Sequence, residues 1–372
     1  MNSRQRLLAA LDGRVPDRVP ISTYELVGYN STAWENNTPS FARLMDVIRA
    51  KTDCVCMWNP SSNQTAFFSA HPFEMTRQTA RLGDTTTETR TVQTPAGVRL
   101  TQTTRRTDNV HTVWQTEHWC KTLQDVDAAL SIPYAPVTYD FSDYARIVDQ
   151  VGEHGIIMSS LSDPLCLAAD LMSFGDYTIW AATETEHLLG TLDALHERNM
   201  QNLRNMLDTE VVDLYRICGP EYATPPFLHP RFFARLVTPF VREMVALIHQ
   251  YGAKARLHCH GRIGQVLESI MATGADALDP CEPPPDGDIT LVDVKRRAGE
   301  QMCLFGNLEL KLLEHGAVEE VEATVKACMD AAKAGGGYVI MPTAAPINVP
   351  LAPKTEENYL CFIETALMYG RY

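Results

Sequence analysis

No stretch of this 372-residue chain approaches the roughly 18 uninterrupted apolar residues that a bilayer span requires. Nor does an apolar export segment open it. In MNSRQRLLAALDGRVPDRVP, Leu7, Leu8 and Leu11 form one stripe, so a short amphipathic helix is expected there. Positive charge is in deficit: 32 Lys+Arg face 46 Asp+Glu, a net −14 that lacks the clustered basic surface of a nucleic-acid-binding protein. The ten cysteines are scattered rather than packed into a short framework, so free thiols in a reducing cytoplasm are the expectation. Internal repeats and low-complexity tracts are missing too. No GxGxxG follows the first strand, which removes the usual cofactor signature of an open doubly wound sheet. With 45% hydrophobic and 21% charged residues, the composition is that of a globular chain and excludes a disordered one. A chain this long buries about three-quarters of its unfolded surface and needs no disulfide or metal staple.

What is present is a series of short β-branched or apolar runs ending in polar, Gly or Pro residues. Strands are expected at 18–22, 52–57, 155–160, 211–218, 254–260, 275–279, 301–305 and 337–341. Amphipathic helices fall between them. One runs over 230–251, with Phe233, Leu236, Val237, Phe240, Met244, Leu247 and Ile248 on one stripe and Pro239 as a candidate kink; others run over 262–273 and 317–333. Eight strands interleaved with helices predict an α/β fold, a single (β/α)8 TIM barrel spanning 1–372. Residues 75–122 break the alternation. Thr, Arg and Val alternate there around a Thr94-Pro95-Ala96-Gly97 turn, which predicts an antiparallel β-hairpin inserted after the second strand. A lid, an arm joining a homodimer and plain decoration are its three readings.

A barrel of this kind carries its active site at the C-terminal ends of the strands. Trp58 and Asn59 end the second strand, Asp163 follows the third, and Glu221 and Tyr222 follow the fourth. His258 and His260 end the fifth, Cys281 and Glu282 follow the sixth, Asn307 ends the seventh and Thr343 the eighth. His258 and His260 are spaced i,i+2, so a strand turns both imidazoles to one face. Two neutral imidazoles suit Zn2+, with a third ligand from Glu221, Cys281 or Glu282; hydrogen-bonding to a substrate is the alternative. Glu221, Asp163 and Asn307 are the candidate catalytic groups, and Trp58, Asn59, Tyr222 and Thr343 the candidate substrate contacts. Cys54 and Cys56 read as core thiols, and Cys259 should face the surrounding helices.

Three stretches carry a family resemblance: SRQRLLAALDGRVPDRVPI at the start, HPRFFARLVTPFVREMVALIHQYGAKARLHCHG across the fifth strand, and FGNLE after the seventh. Together they resemble the uroporphyrinogen decarboxylase superfamily along essentially the whole chain. That resemblance implies a single (β/α)8 barrel, and a function among three groups. These are haem-pathway decarboxylases, zinc-dependent methyltransferases that move methyl groups from corrinoid proteins to thiols, and epoxyalkane:coenzyme M transferases. The decarboxylases hold the acidic side chains of their substrate with arginines of an RQAGR-type segment. Here the stretch after Pro20 reads ISTYELVGYNSTAW, without arginine, which disfavours uroporphyrinogen. The methyltransferases bind zinc with His-x-Cys on the fifth strand and a later Cys. Here His260 stands at the first cysteine position, and MPTAAP replaces the segment holding the second.

The resemblance therefore implies a variant site with Zn2+ held by His258 and His260. It points to methyl transfer between a corrinoid on a partner protein and a small thiol or similar acceptor, Glu221 and Asp163 handling protons. A metal-free carboxy-lyase acting on a small carboxylate is the alternative, and a ligand-binding barrel without catalysis the third reading.

Overall fold

The computed structural model describes residues 1–372. Seven parallel strands form one curled sheet in chain order: Cys54–Met57, Gly155–Ser162, Leu214–Cys218, Lys254–His258, Ala277–Asp279, Cys303–Leu308 and Tyr338–Pro342. Each is short and β-branched or apolar, and helices such as Thr185–Thr209, Thr238–Gln250, Val318–Ala332 and Pro353–Tyr369 cover the outside. The eighth expected strand, 18–22, is an extended segment with a single parallel bridge, Ile21 to Ile340. Its backbone nonetheless joins the two edges of the sheet. Asp53 N–H donates to Ile21 O at 2.8 Å, Ile340 N–H to Pro20 O at 3.0 Å, and Ser22 N–H to Ile340 O at 3.0 Å. The Asp53 carboxylate, fully buried, accepts from Ile21 N–H and pairs with Arg6 and Arg18, anchoring this join.

Side chains inside the curl form their own cluster. Val55, Ile156, Met158, Leu214, Ala277, Cys303, Phe305, Val339 and Met341 pack together there, and Leu7, Ala10 and Leu11 of the helix Ser3–Leu11 close one end. That helix begins at an Asn2 capping box with Gln5. A larger core of 82 buried residues lies between sheet and helices, and Cys54, Cys56 and Cys259 are part of it. The expected 230–251 helix is two: Pro230–Leu236, then Thr238–Gln250, with Pro239 in the first turn of the second. Proline has no N–H to give, so it starts a helix where one was expected to bend.

Between the first and second strands of the sheet stands a separate antiparallel sheet of four strands, Met75–Leu82, Thr85–Gln93, Arg99–Thr107 and Trp114–Glu117. A two-stranded hairpin was expected. The sheet's two inner strands are the threonine-rich ones, flanked by Met75–Leu82 and Trp114–Glu117, and the cross-strand pair Val92 and Leu100 next to the turn anchors it in the core. No helix is long and apolar enough to cross a membrane.

Candidate functional site

Three neighbouring strands place four polar side chains inside the curl. Arg216 lies in register with Arg256, and His258 in register with Asp279. Arg256 and His258 are i,i+2 and share a face. Asp279, without solvent exposure, accepts from His258 Nδ1 at 2.8 Å and lies 3.0 Å from Arg256 Nε, misaligned for a hydrogen bond. Arg216 Nη2 donates to the Tyr24 hydroxyl at 2.6 Å and to His258 Nε2 at 3.0 Å, and Arg216 Nη1 to Glu25 at 3.0 Å. This network assigns the His258 proton to Nδ1. Burial pushes the His258 pKa down to about 4, against the pull of Asp279, so the ring is neutral. Burial alone would raise Asp279, but Arg256, His258 and Arg216 hold it well below the usual carboxylate range. The Arg256 guanidinium also lies over the Phe305 ring, 4.8 Å from its centroid.

His260 lies just beyond the strand end, its ring edge-on to His258 with centroids 4.6 Å apart. Glu282 grips it: Oε1 pairs with His260 Nδ1 at 2.9 Å, and Oε2 accepts from Gly261 N–H at 2.6 Å. Burial opposes a charge on His260, but Glu282 outweighs it and raises the pKa. His260 Nε2 makes no hydrogen bond within the protein, and the side chain is 31% exposed. Two carboxyls complete the mouth. Glu221, in the turn Pro220–Ala223, accepts from Gly219 N–H at 2.9 Å and is raised by burial. Glu309 is pushed up to about 7 by burial and the nearby Glu282.

The remaining candidates lie elsewhere. Asp163 is fully buried, caps the helix Pro164–Leu171 through Cys166 N–H at 2.7 Å, and has its pKa raised well above normal by burial. Asn307 turns away from the mouth. Its Nδ2 donates to Cys281 O at 2.9 Å, and its Oδ1 accepts from the Cys328 thiol on an outer helix. Gly306 before it, at φ +151°, is closely approached by Pro280 O. Thr343 accepts from Leu310 N–H at 3.2 Å, starting a helix. Trp58 packs on Phe141 and Tyr144 outside the curl, and Asn59 accepts from Ser160 N–H; both line a cleft of about 360 Å³ with Asp140 and Asp143. Tyr222 packs beside Tyr177 and Phe174.

Zinc needs three or four donors converging on one point. No three His, Cys, Asp or Glu side chains do so. The His258 Nε2 lone pair accepts from a guanidinium, His260 Nδ1 and Glu282 are joined to each other, and the Cys281 thiol is buried facing Leu278 O. As arranged, the expected zinc set does not fit the ion. Arg216, Arg256, Asp279, Tyr24, Glu25 and Glu309 were not among the expected site residues. Strand parity could have found Arg216 and Arg256, since each is a charge inside an apolar run.

A parallel sheet thus gathers His, Arg and carboxyl groups near the ends of its strands, and comparison places it. The family profile described as uroporphyrinogen decarboxylase (URO-D) matches residues 90–365, and the chain belongs to that family. It is 36% identical over 130 residues to a uroporphyrinogen decarboxylase of Pseudoalteromonas translucida, covering 32% of this chain and 35% of that one. It is 23% identical over 195 residues to a methylcobamide:CoM methyltransferase of Methanosarcina barkeri, covering 52% and 54%. The chain thus spans between a third and about half the length of these relatives. Its fold is similar to that of a methyltransferase from Methanosarcina mazei, with TM-score 0.64, 18% identity and 99% of both chains covered.

Proposed function

We propose that the protein is an enzyme that moves a proton to or from a small molecule in the mouth of the parallel sheet, in a carboxy-lyase type of reaction. The observation that carries this is the His260–Glu282 pair, in which Glu282 fixes one ring nitrogen while the other is free towards the mouth. Such a pair supplies a protonated imidazole near neutral pH. When a carboxylate leaves as CO2, the bonding electrons stay on carbon and His260 Nε2 delivers the proton that replaces it. Glu309, titrating near neutrality, is placed to exchange protons nearby. Uroporphyrinogen is not the proposed substrate, because the loop after Pro20 brings Glu25 and no arginine.

The test is release of labelled CO2 from a panel of small carboxylic acids carbon-13 labelled in the carboxyl group. His260→Ala should lower turnover by about 10²–10⁴-fold with an unchanged circular dichroism spectrum, and Glu282→Gln, by removing the charge that raises the His260 pKa, should move the alkaline limb of the pH–rate profile to lower pH. Full activity in His260→Ala refutes the assignment.

The methylcobamide:CoM methyltransferase relative favours a second reading, the one the sequence puts first. In it, a methyl group passes between a corrinoid carried by a partner protein and a small thiol or similar acceptor. Its metal-assisted form needs donors that this arrangement does not bring together, so no step is assigned to zinc. Loss of methyl from methylcobalamin with a small thiol, followed by absorbance, would support this reading over proton transfer.

A further inference from the structure

We infer that Arg216, backed by Arg256, forms a binding subsite for a monocarboxylate inside the curl, with Arg216 engaged in this structure by the protein's own Glu25. The two guanidiniums sit side by side on adjacent strands, with side chains 5% and 2% exposed. One buried carboxylate, Asp279, answers two buried cations, and the histidine between them is neutral. A cluster present only to hold the fold would be expected to balance its charge and satisfy its donors. This one balances its charge only by borrowing a half-exposed loop carboxylate and leaves donors unsatisfied, because Arg216 Nε and Arg256 Nη1 are buried and have no hydrogen-bond partner.

Glu25 supplies the missing negative charge from outside the sheet. It sits on the loop after Ser22, its side chain is 49% exposed, and it reaches Arg216 Nη1 at 3.0 Å. A half-exposed carboxylate on a loop is the easiest member of the cluster to exchange for another. Charge selects the newcomer. Without Glu25 the buried group carries one net positive charge, which a monocarboxylate neutralises and a phosphate dianion exceeds. The planar fork of Arg216 and the neighbouring Tyr24 hydroxyl suit a flat carboxylate. The inference rests on the mouth being the substrate site and names the group by which the substrate is held.

The experiment is isothermal titration calorimetry of the full chain with acetate, and separately with inorganic phosphate. Wild type, Glu25→Gln and Arg216→Met are compared. Glu25→Gln removes the internal competitor's charge at a half-exposed position, so folding should survive. Acetate should bind this variant about three- to tenfold more tightly than wild type, the scale of one partly exposed ion pair. Arg216→Met should lose binding; if it does not fold, the Glu25→Gln comparison decides. Unchanged or weaker acetate binding in Glu25→Gln overturns the inference, and phosphate binding as tight as acetate overturns the monocarboxylate assignment. Turnover is not measured, so a failed lyase reading leaves these isotherms standing.

Discussion

His258 offers a direct measure of how thoroughly the centre of the sheet is sealed. Burial lowers its folded-state pKa to about 4, whereas an unfolded histidine titrates near 6.5. The unfolded chain therefore binds a proton in the window between those values while the folded chain does not. A depressed pKa contributes stability that is present above about 6.5 and is lost as pH falls towards about 4. Acidification from about pH 7.5 to about pH 4.5 should remove about 2–3 kcal/mol through this one residue. Glu309, raised to about 7, and Asp170, raised to about 6 by burial, act in the opposite sense. Their stabilising effect is present at low pH and fades as pH rises, so the wild-type curve alone hides the histidine. A difference isolates it. His258→Gln keeps a donor for Asp279 and an acceptor for Arg216 but does not titrate. Urea unfolding of both proteins at both pH values should show wild type losing about 2–3 kcal/mol more than the variant on acidification. A difference below about 0.5 kcal/mol would refute the reasoning, because it would mean that water reaches the ring and its pKa is near normal.

Asp279→Asn should destabilise by about 3–5 kcal/mol, since it leaves two buried guanidiniums without their carboxylate; pairing it with Arg256→Met should recover part of that loss in the same urea assay. Gly306→Ala should cost about 3 kcal/mol or more, because its Cβ would meet Pro280 O at 2.1 Å at a backbone angle of φ +151°, read as a lowered thermal midpoint.

The seven strands of the sheet lie inside or within a few residues of the apolar runs that predict them, because buried parallel strands are written as local β-branched clusters. His258 and His260 were legible through i,i+2 parity, and Glu282 through its position after the next strand. Their partners were not. Tyr24 and Glu25 meet Arg216 across about 190 residues of chain, and no local pattern records that meeting. Asn307 misled because a place at a strand end does not say where the amide points, and its hydrogen bonds to Cys281 O and the Cys328 thiol take it away from the mouth. Asp163 and Thr343 are polar for another reason: each satisfies the first turn of a helix. The four-stranded arm was only half legible: the threonine-rich inner pair around the Thr94–Gly97 turn reads as a hairpin, whereas the outer strands Met75–Leu82 and Trp114–Glu117 carry no turn signal of that kind.

The join at Ile21 also sets an order on biosynthesis. Ile340, its partner, leaves the ribosome about 320 residues later, roughly 16–60 s at ordinary rates of translation. Until then the N-terminal segment can dock on the Cys54–Met57 side alone, and the far edge of the growing sheet offers unpaired backbone groups to any passing strand. The last strand and its hydrogen bonds to Pro20 and Ser22 are what remove that edge. Chains interrupted before residue 338 should therefore aggregate rather than accumulate as a shortened fold.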